Sequence, residues 1–132
     1  MKIVVVDDEI VVGKLIVRKT ALWGYLGTVR IVLVPGDSAG CVAEQVLENE
    51  PPDVVVLDHD FKLEFSGANV AEELRRMGFN GRIVVFSSLL PETQTVLFAS
   101  YEIWDYVTKP NTDGLRGPLG QIAQSLIIKA GD

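Results

Sequence analysis

Cysteine is almost missing from this sequence of 132 residues: Cys41 stands alone, without a partner for an internal disulfide and without Cys or His at metal-ligand spacing. That excludes a disulfide framework and a Cys/His zinc site, and leaves Cys41 as a reduced, partly buried thiol. Basic charge is scarce as well. Twelve Lys and Arg against eighteen Asp and Glu give a net charge of −6 and an isoelectric point near 4.7. A direct nucleic-acid role is therefore not expected, because phosphate neutralisation needs a basic patch. Long hydrophobic runs are lacking, and no segment approaches the roughly 20 apolar residues of a membrane helix. The opening stretch Met1–Val6 is too short for a secretory signal and runs straight into Asp7, Asp8 and Glu9. A cytoplasmic protein with no membrane role is expected. No repeat, low-complexity tract or composition shift marks a linker, and the last helical stretch ends about where the chain does, so residues 1–132 read as a single domain.

What is present is a series of short runs rich in Val and Ile: Lys2–Val6, Val29–Val34, Val54–Leu57, Arg82–Phe86 and Ile103–Val107. They are near-continuously apolar rather than alternating, as strands covered on both faces are, and so point to a parallel sheet. Between them, segments near Ile10–Trp23, Ser38–Asn49, Ala68–Met77, Pro91–Tyr101 and Pro118–Lys129 fit helices. Ser38 suits an N-cap, Gly78 a left-handed helix end, and Pro91 and Pro118 first helical turns. Strand and helix in alternation predict an α/β, doubly wound five-stranded parallel sheet with right-handed crossovers.

Polar residues stand at the ends of these runs. Asp7 and Asp8 follow the first, Asp58 the third, Ser87 the fourth and Lys109 the fifth. Open α/β sheets bind ligands beyond the carboxyl ends of their strands, at the switch point, so these five residues are expected to share one pocket. Three clustered carboxylates repel unless a cation balances them, and a hard, water-retaining ion such as Mg²⁺ suits so few protein carboxylates. Lys109 adds a positive charge and Ser87 a hydroxyl donor, both suited to phosphoryl oxygens. A carboxylate is an adequate nucleophile toward an activated phosphoryl donor, since that transfer needs mainly positioning and charge neutralisation.

Four motifs, Lys2-Ile-Val-Val-Val-Asp-Asp-Glu9, Pro52-Asp-Val-Val-Val-Leu-Asp58, Ile83-Val-Val-Phe-Ser-Ser88 and Asp105-Tyr-Val-Thr-Lys-Pro110, occur in this order over the whole chain. Together they resemble the receiver domain of two-component response regulators, with its flavodoxin-like fold and strand order 2-1-3-4-5. The resemblance implies Asp58 as phosphoacceptor and a Mg²⁺ held by Asp8, by Asp7 largely through water, by Asp58 and by the backbone carbonyl of Asp60. It implies that Ser87 and Lys109 bind the phosphoryl oxygens and that the Lys109-Pro110 bond is cis. Tyr106 matches the family's aromatic switch residue, and the output face would be the fourth helix, fifth strand and fifth helix. Strand alternation directs Trp104 the same way as Tyr106, either as part of a docking site or packed on the neighbouring helix. The implied partners are a sensor histidine kinase or phosphotransfer protein and a downstream protein target, with a phosphorylation-dependent dimer as one assembly. Apart from its own phosphorylation and dephosphorylation, no enzymatic activity is implied.

The loop His59-Asp60-Phe61-Lys62-Leu63-Glu64-Phe65-Ser66-Gly67 departs from the family pattern, and Asp60 would bring a fourth carboxylate to the pocket rim, tuning phosphoryl lifetime or donor choice. His59, the sole histidine, reads as a loop residue. Glu102 stands where the family often has a small residue, and Asn111 where an aromatic frequently follows Lys-Pro. Two other readings compete. Asp58-His59-Asp60 resembles the first motif of haloacid-dehalogenase-type phosphatases, although the acidic pair lies at the wrong end of the chain. A receiver-like binding module that is never phosphorylated is the other, against which the clustered carboxylates argue.

Overall fold

The computed structural model describes residues 1–25, 27–34 and 38–131, with side chains as far as residue 128. Five parallel strands, β1 (Lys2–Asp7), β2 (Thr28–Leu33), β3 (Val54–Leu57), β4 (Arg82–Ser87) and β5 (Asp105–Thr108), form one sheet in the expected order β2-β1-β3-β4-β5. Helices α1 (Ile10–Leu22), α2 (Ala39–Leu47), α3 (Gly67–Arg76), α4 (Pro91–Leu97) and α5 (Arg116–Gly131) cover both faces.

The continuous hydrophobicity of β1, β3 and β4 has the cause the sequence implied. Val4, Val6, Val55, Leu57, Ile83 and Val85 pack on one side with residues of α2 and α3 and with Phe98. Ile3, Val5, Val54, Val56, Val84 and Phe86 pack on the other with Ile16 of α1 and Leu115, Leu119 and Ile122 near and in α5. Each such side chain contributes about 1.5–3 kcal/mol by leaving water. With apolar residues wanted on both faces, the central strands have no place for alternation.

Local signals set most of the helix ends. The Ser38 hydroxyl accepts from Cys41 N–H, and Ser66 and Asn69 form a reciprocal capping box at the start of α3. At its other end Gly78 adopts φ +88°, while Gly78 N–H donates to Arg75 C=O and Phe79 N–H to Leu74 C=O, a complete Schellman closure.

Three expected boundaries are corrected. The α4 helix stops at Leu97 rather than Tyr101, β5 begins at Asp105 rather than Ile103, and α5 begins at Arg116 after a 3-10 turn at Thr112–Leu115. Past Leu97 the chain closes in turns, Ala99 N–H donating to Val96 C=O and Tyr101 N–H to Phe98 C=O, and Glu102 then takes the left-handed region, φ 54°, before the chain enters β5. That turn is held from across the fold by Arg75, whose guanidinium donates to the carbonyls of Tyr101 (2.9 Å), Glu102 (3.0 Å), Phe79 (2.8 Å) and Gly81 (2.9 Å). Asn111 explains the third: its side chain accepts from Gly114 N–H at 3.2 Å and caps the 3-10 turn, a role an aromatic could not fill.

Candidate functional site

Register builds the pocket. Val6 pairs with Leu57, so Asp7 and Asp58, each one residue further on, emerge side by side. Ser87 pairs with Thr108, so Lys109 follows beside the end of β4, and Lys109 N–H donates to Ser87 C=O at 2.9 Å. Carboxylate oxygens of Asp7, Asp8 and Asp58 all lie within 4.8 Å of one another. The Lys109 ammonium donates to Asp7 Oδ2 at 2.8 Å and stands 3.4 Å from Asp58 Oδ2. Asp7 is further fixed by Glu9 N–H, which donates to its Oδ1 at 2.9 Å.

Burial makes this cluster electrostatically tense. Asp58 is 5% exposed, and burial, reinforced by the Asp7 charge, pushes its carboxyl up to about 6 despite Lys109. Burial also raises Asp7, against the hydrogen bond from Lys109. For Lys109 burial disfavours the charge, but the Asp7 hydrogen bond and the charges of Asp58 and Asp7 prevail, so its pKa is raised. Three acids with one base leave the pocket short of positive charge. The donor set is all oxygen and hard, and it fits Mg²⁺, which takes one or two carboxylates and keeps waters.

Ser87 is fully buried at the end of β4, and its hydroxyl accepts from Leu89 N–H at 3.2 Å. The Lys109-Pro110 bond is cis, as the resemblance implied. Asp60 differs from the expectation of a fourth pocket carboxylate. Its Oδ1 accepts from Lys62 N–H at 3.0 Å, closing the loop on itself, and among the described residues the metal-competent group consists of Asp7, Asp8 and Asp58. The loop then docks through Gly67, whose N–H donates to His59 C=O at 2.8 Å and where any Cβ would strike the Asp58 carbonyl. Trp104 stands one residue before β5, so alternation does not govern it; it is 38% exposed beneath the Arg82 guanidinium, 4.5 Å from the ring centre. Tyr106 is half-buried, its ring 6.5 Å from Phe98, which in turn meets His59 edge-on at 5.4 Å. His59 is thus a packed residue, with burial lowering its pKa.

Sequence reasoning passed over Gln94. It is fully buried on α4, and its Nε2 donates to Ser87 C=O (3.1 Å) and Leu89 C=O (2.7 Å), while its Oε1 has no partner. An unpaired buried carbonyl costs on the order of 1–3 kcal/mol. The available signal was its spacing of four from Phe98, which puts both on one helix face.

No protein-family model matches the sequence, and no curated protein matches it. Solved structures do. The chain is 25% identical to the beryllofluoride-activated DrrB receiver domain, with TM-score 0.73 over 93% of this chain and 97% of that one. The receiver domain of the Francisella response regulator 1452 is 21% identical, with TM-score 0.73 over 95% and 98%. A CheY-like response regulator receiver domain protein from Methanospirillum hungatei JF-1 is 17% identical, with TM-score 0.75 over 97% of each chain. The resemblance carried by the four motifs is therefore matched in three dimensions: over nearly its whole length this chain has the flavodoxin-like fold of a response-regulator receiver domain.

Proposed function

We propose that the chain is a phosphoacceptor in two-component signalling, taking a phosphoryl group from a phosphohistidine donor onto Asp58. The observation that carries this reading is the buried Asp58 carboxylate, its pKa raised to about 6, lying within a three-carboxylate cluster and 3.4 Å from the Lys109 ammonium. An Asp58 oxygen attacks phosphorus in line as the P–N bond to the donor imidazole breaks; the imidazole leaves and takes a proton, and an acyl phosphate remains. Asp7, Asp8, Asp58 and the backbone carbonyl of Asp60 would hold Mg²⁺, which when bound neutralises charge on the transferring group. Lys109 supplies a positive charge to a phosphoryl oxygen, and Ser87 a hydroxyl proton that stays free to donate while the same oxygen accepts from Leu89 N–H.

The donor is a sensor histidine kinase or phosphotransfer protein. The output passes through Tyr106 and the face of α4, β5 and α5 to a protein target or to a phosphorylation-dependent dimer. Exposed Val96 and Trp104 on that face support a protein contact. A single domain over residues 1–132, acting in the cytoplasm, accords with this role; no helix among the described residues is long and apolar enough to cross a membrane. The loop-closing bond of Asp60 weighs against the phosphatase reading, in which that carboxyl would serve as general acid.

The test is intact mass after acetyl phosphate and Mg²⁺, with Asp58→Asn as control. One phosphoryl group, dependent on Mg²⁺ and absent in the variant, is expected. An unmodified wild type that also fails to bind beryllofluoride would overturn the reading.

A further inference from the structure

Phe86 is the last apolar residue of β4, immediately before Ser87, and at 2% exposure its ring is fixed by the core. Strand order and register put that ring between the acceptor and the base. Leu57 pairs with Val85, so Asp58 and Phe86, each one residue further on, stand side by side. Phe86 itself pairs with Val107, and Lys109, two residues beyond Val107, comes back to the side of the sheet that Phe86 and Val107 share. The Lys109 ammonium lies over the Phe86 ring, 5.7 Å from its centre. That is inside the roughly 6 Å within which a ring face attracts a cation.

An ammonium has three hydrogens to donate and nothing with which to accept. Two neighbours of Lys109 are Asp7 at 2.8 Å and Asp58 at 3.4 Å, and both belong to the carboxylate cluster suited to Mg²⁺. Phe86 is a neighbour of another kind. Its ring attracts the lysine charge but is no ligand for a hard, oxygen-seeking ion, so the two do not compete for it. Burial also works against the charge on Lys109, whose side chain is only 17% exposed. A ring face is worth most to a cation that has lost its water.

We propose that Phe86 is a positioning residue whose ring face keeps the Lys109 ammonium beside Asp58 when a divalent cation competes for Asp7. The inference rests on the phosphoacceptor reading and adds a residue to it. An ammonium that gives up Asp7 before any phosphoryl group is present can stay in the pocket or swing into water on its four-carbon stem. Without a ring face at position 86 it takes the second course, and a phosphoryl group on Asp58 must then draw the charge back out of water. The ring removes that cost by holding the charge in place beforehand.

The test is a series of fluorinated phenylalanines at position 86 of the full chain, because ring fluorine weakens the attraction of the face for a cation while hardly changing its size. Beryllofluoride affinity is read at saturating Mg²⁺ from backbone amide shifts. It should fall stepwise with one, two and three fluorines, ending roughly two- to tenfold below wild type, the worth of one cation–π contact. A flat series overturns the proposal. The Lys109 Hε resonance at saturating Mg²⁺, without beryllofluoride, gives a second reading. The ring should shift it upfield in wild type, and Phe86→Leu should return it toward the position of a solvated lysine. An equal position in both proteins overturns the proposal. A wild type that binds no beryllofluoride removes the phosphoacceptor reading and this inference together, whereas binding with a flat fluorine series removes only the inference.

Discussion

Lys109 is bound more tightly to Asp7 than to Asp58, at 2.8 Å against 3.4 Å, although Asp58 is the proposed acceptor. The ammonium thus sits against the Asp7 carboxylate, where it would compete with a divalent cation. Under the proposed function a divalent ion at Asp7 competes with this contact, and a Lys109 released from Asp7 is already within reach of Asp58. Lys109→Met should therefore tighten Mg²⁺ binding by roughly tenfold, the effect of removing one competing charge at pocket dielectric, while slowing phosphorylation. Titration calorimetry measures the first and mass spectrometry the second. Unchanged or weaker Mg²⁺ binding would show that Lys109 does not compete.

Asp58 gives the metal-free protein a pH dependence of definite sign. Its carboxyl titrates at about 6 in the fold against 3.8 for an unperturbed group, so the native state holds the proton more tightly. That contribution is fully present below pH 3.8 and is lost as pH rises through about 6, with a ceiling of about 3 kcal/mol before solvent screening. In urea denaturation with chelator, Asp58→Asn should be more stable than wild type above pH 6, the gap closing toward pH 4. A gap independent of pH would contradict the assignment.

The Arg75 clamp should be a stability determinant remote from the chemistry. Its four carbonyl partners come from two segments, so Arg75→Met leaves several of them unpaired and should cost roughly 2–4 kcal/mol in denaturant unfolding. Arg75→Lys should recover little, because an ammonium lacks the planar fork. A loss below about 1 kcal/mol would mean that water replaces the guanidinium.

Glu102 holds a left-handed backbone that favours glycine. Glu102→Gly should raise stability by about 1 kcal/mol, seen as a higher Tm. A lower Tm would show that the attraction between the Glu102 and Arg75 charges exceeds the backbone strain.

The sequence by itself determined the sheet, its coverage on both faces and the strand-end positions of Asp7, Asp8, Asp58, Ser87 and Lys109. Strands buried on both sides must be continuously apolar, so the first polar residue after each run marks where the chain leaves the core. Helix starts at Ser38 and Pro91 and the end at Gly78 were legible because capping depends on residues a few positions apart. Only the tertiary structure decided which acid Lys109 prefers, how Asp60 turns back on Lys62, and why β5 starts late. It also placed Gln94 in the core, where composition alone would leave a glutamine in water. Those outcomes depend on contacts such as Arg75 with Glu102 or Lys109 with Asp7, between residues far apart in the chain, whose relative energies are set by burial and hydrogen-bond geometry that local pattern does not encode.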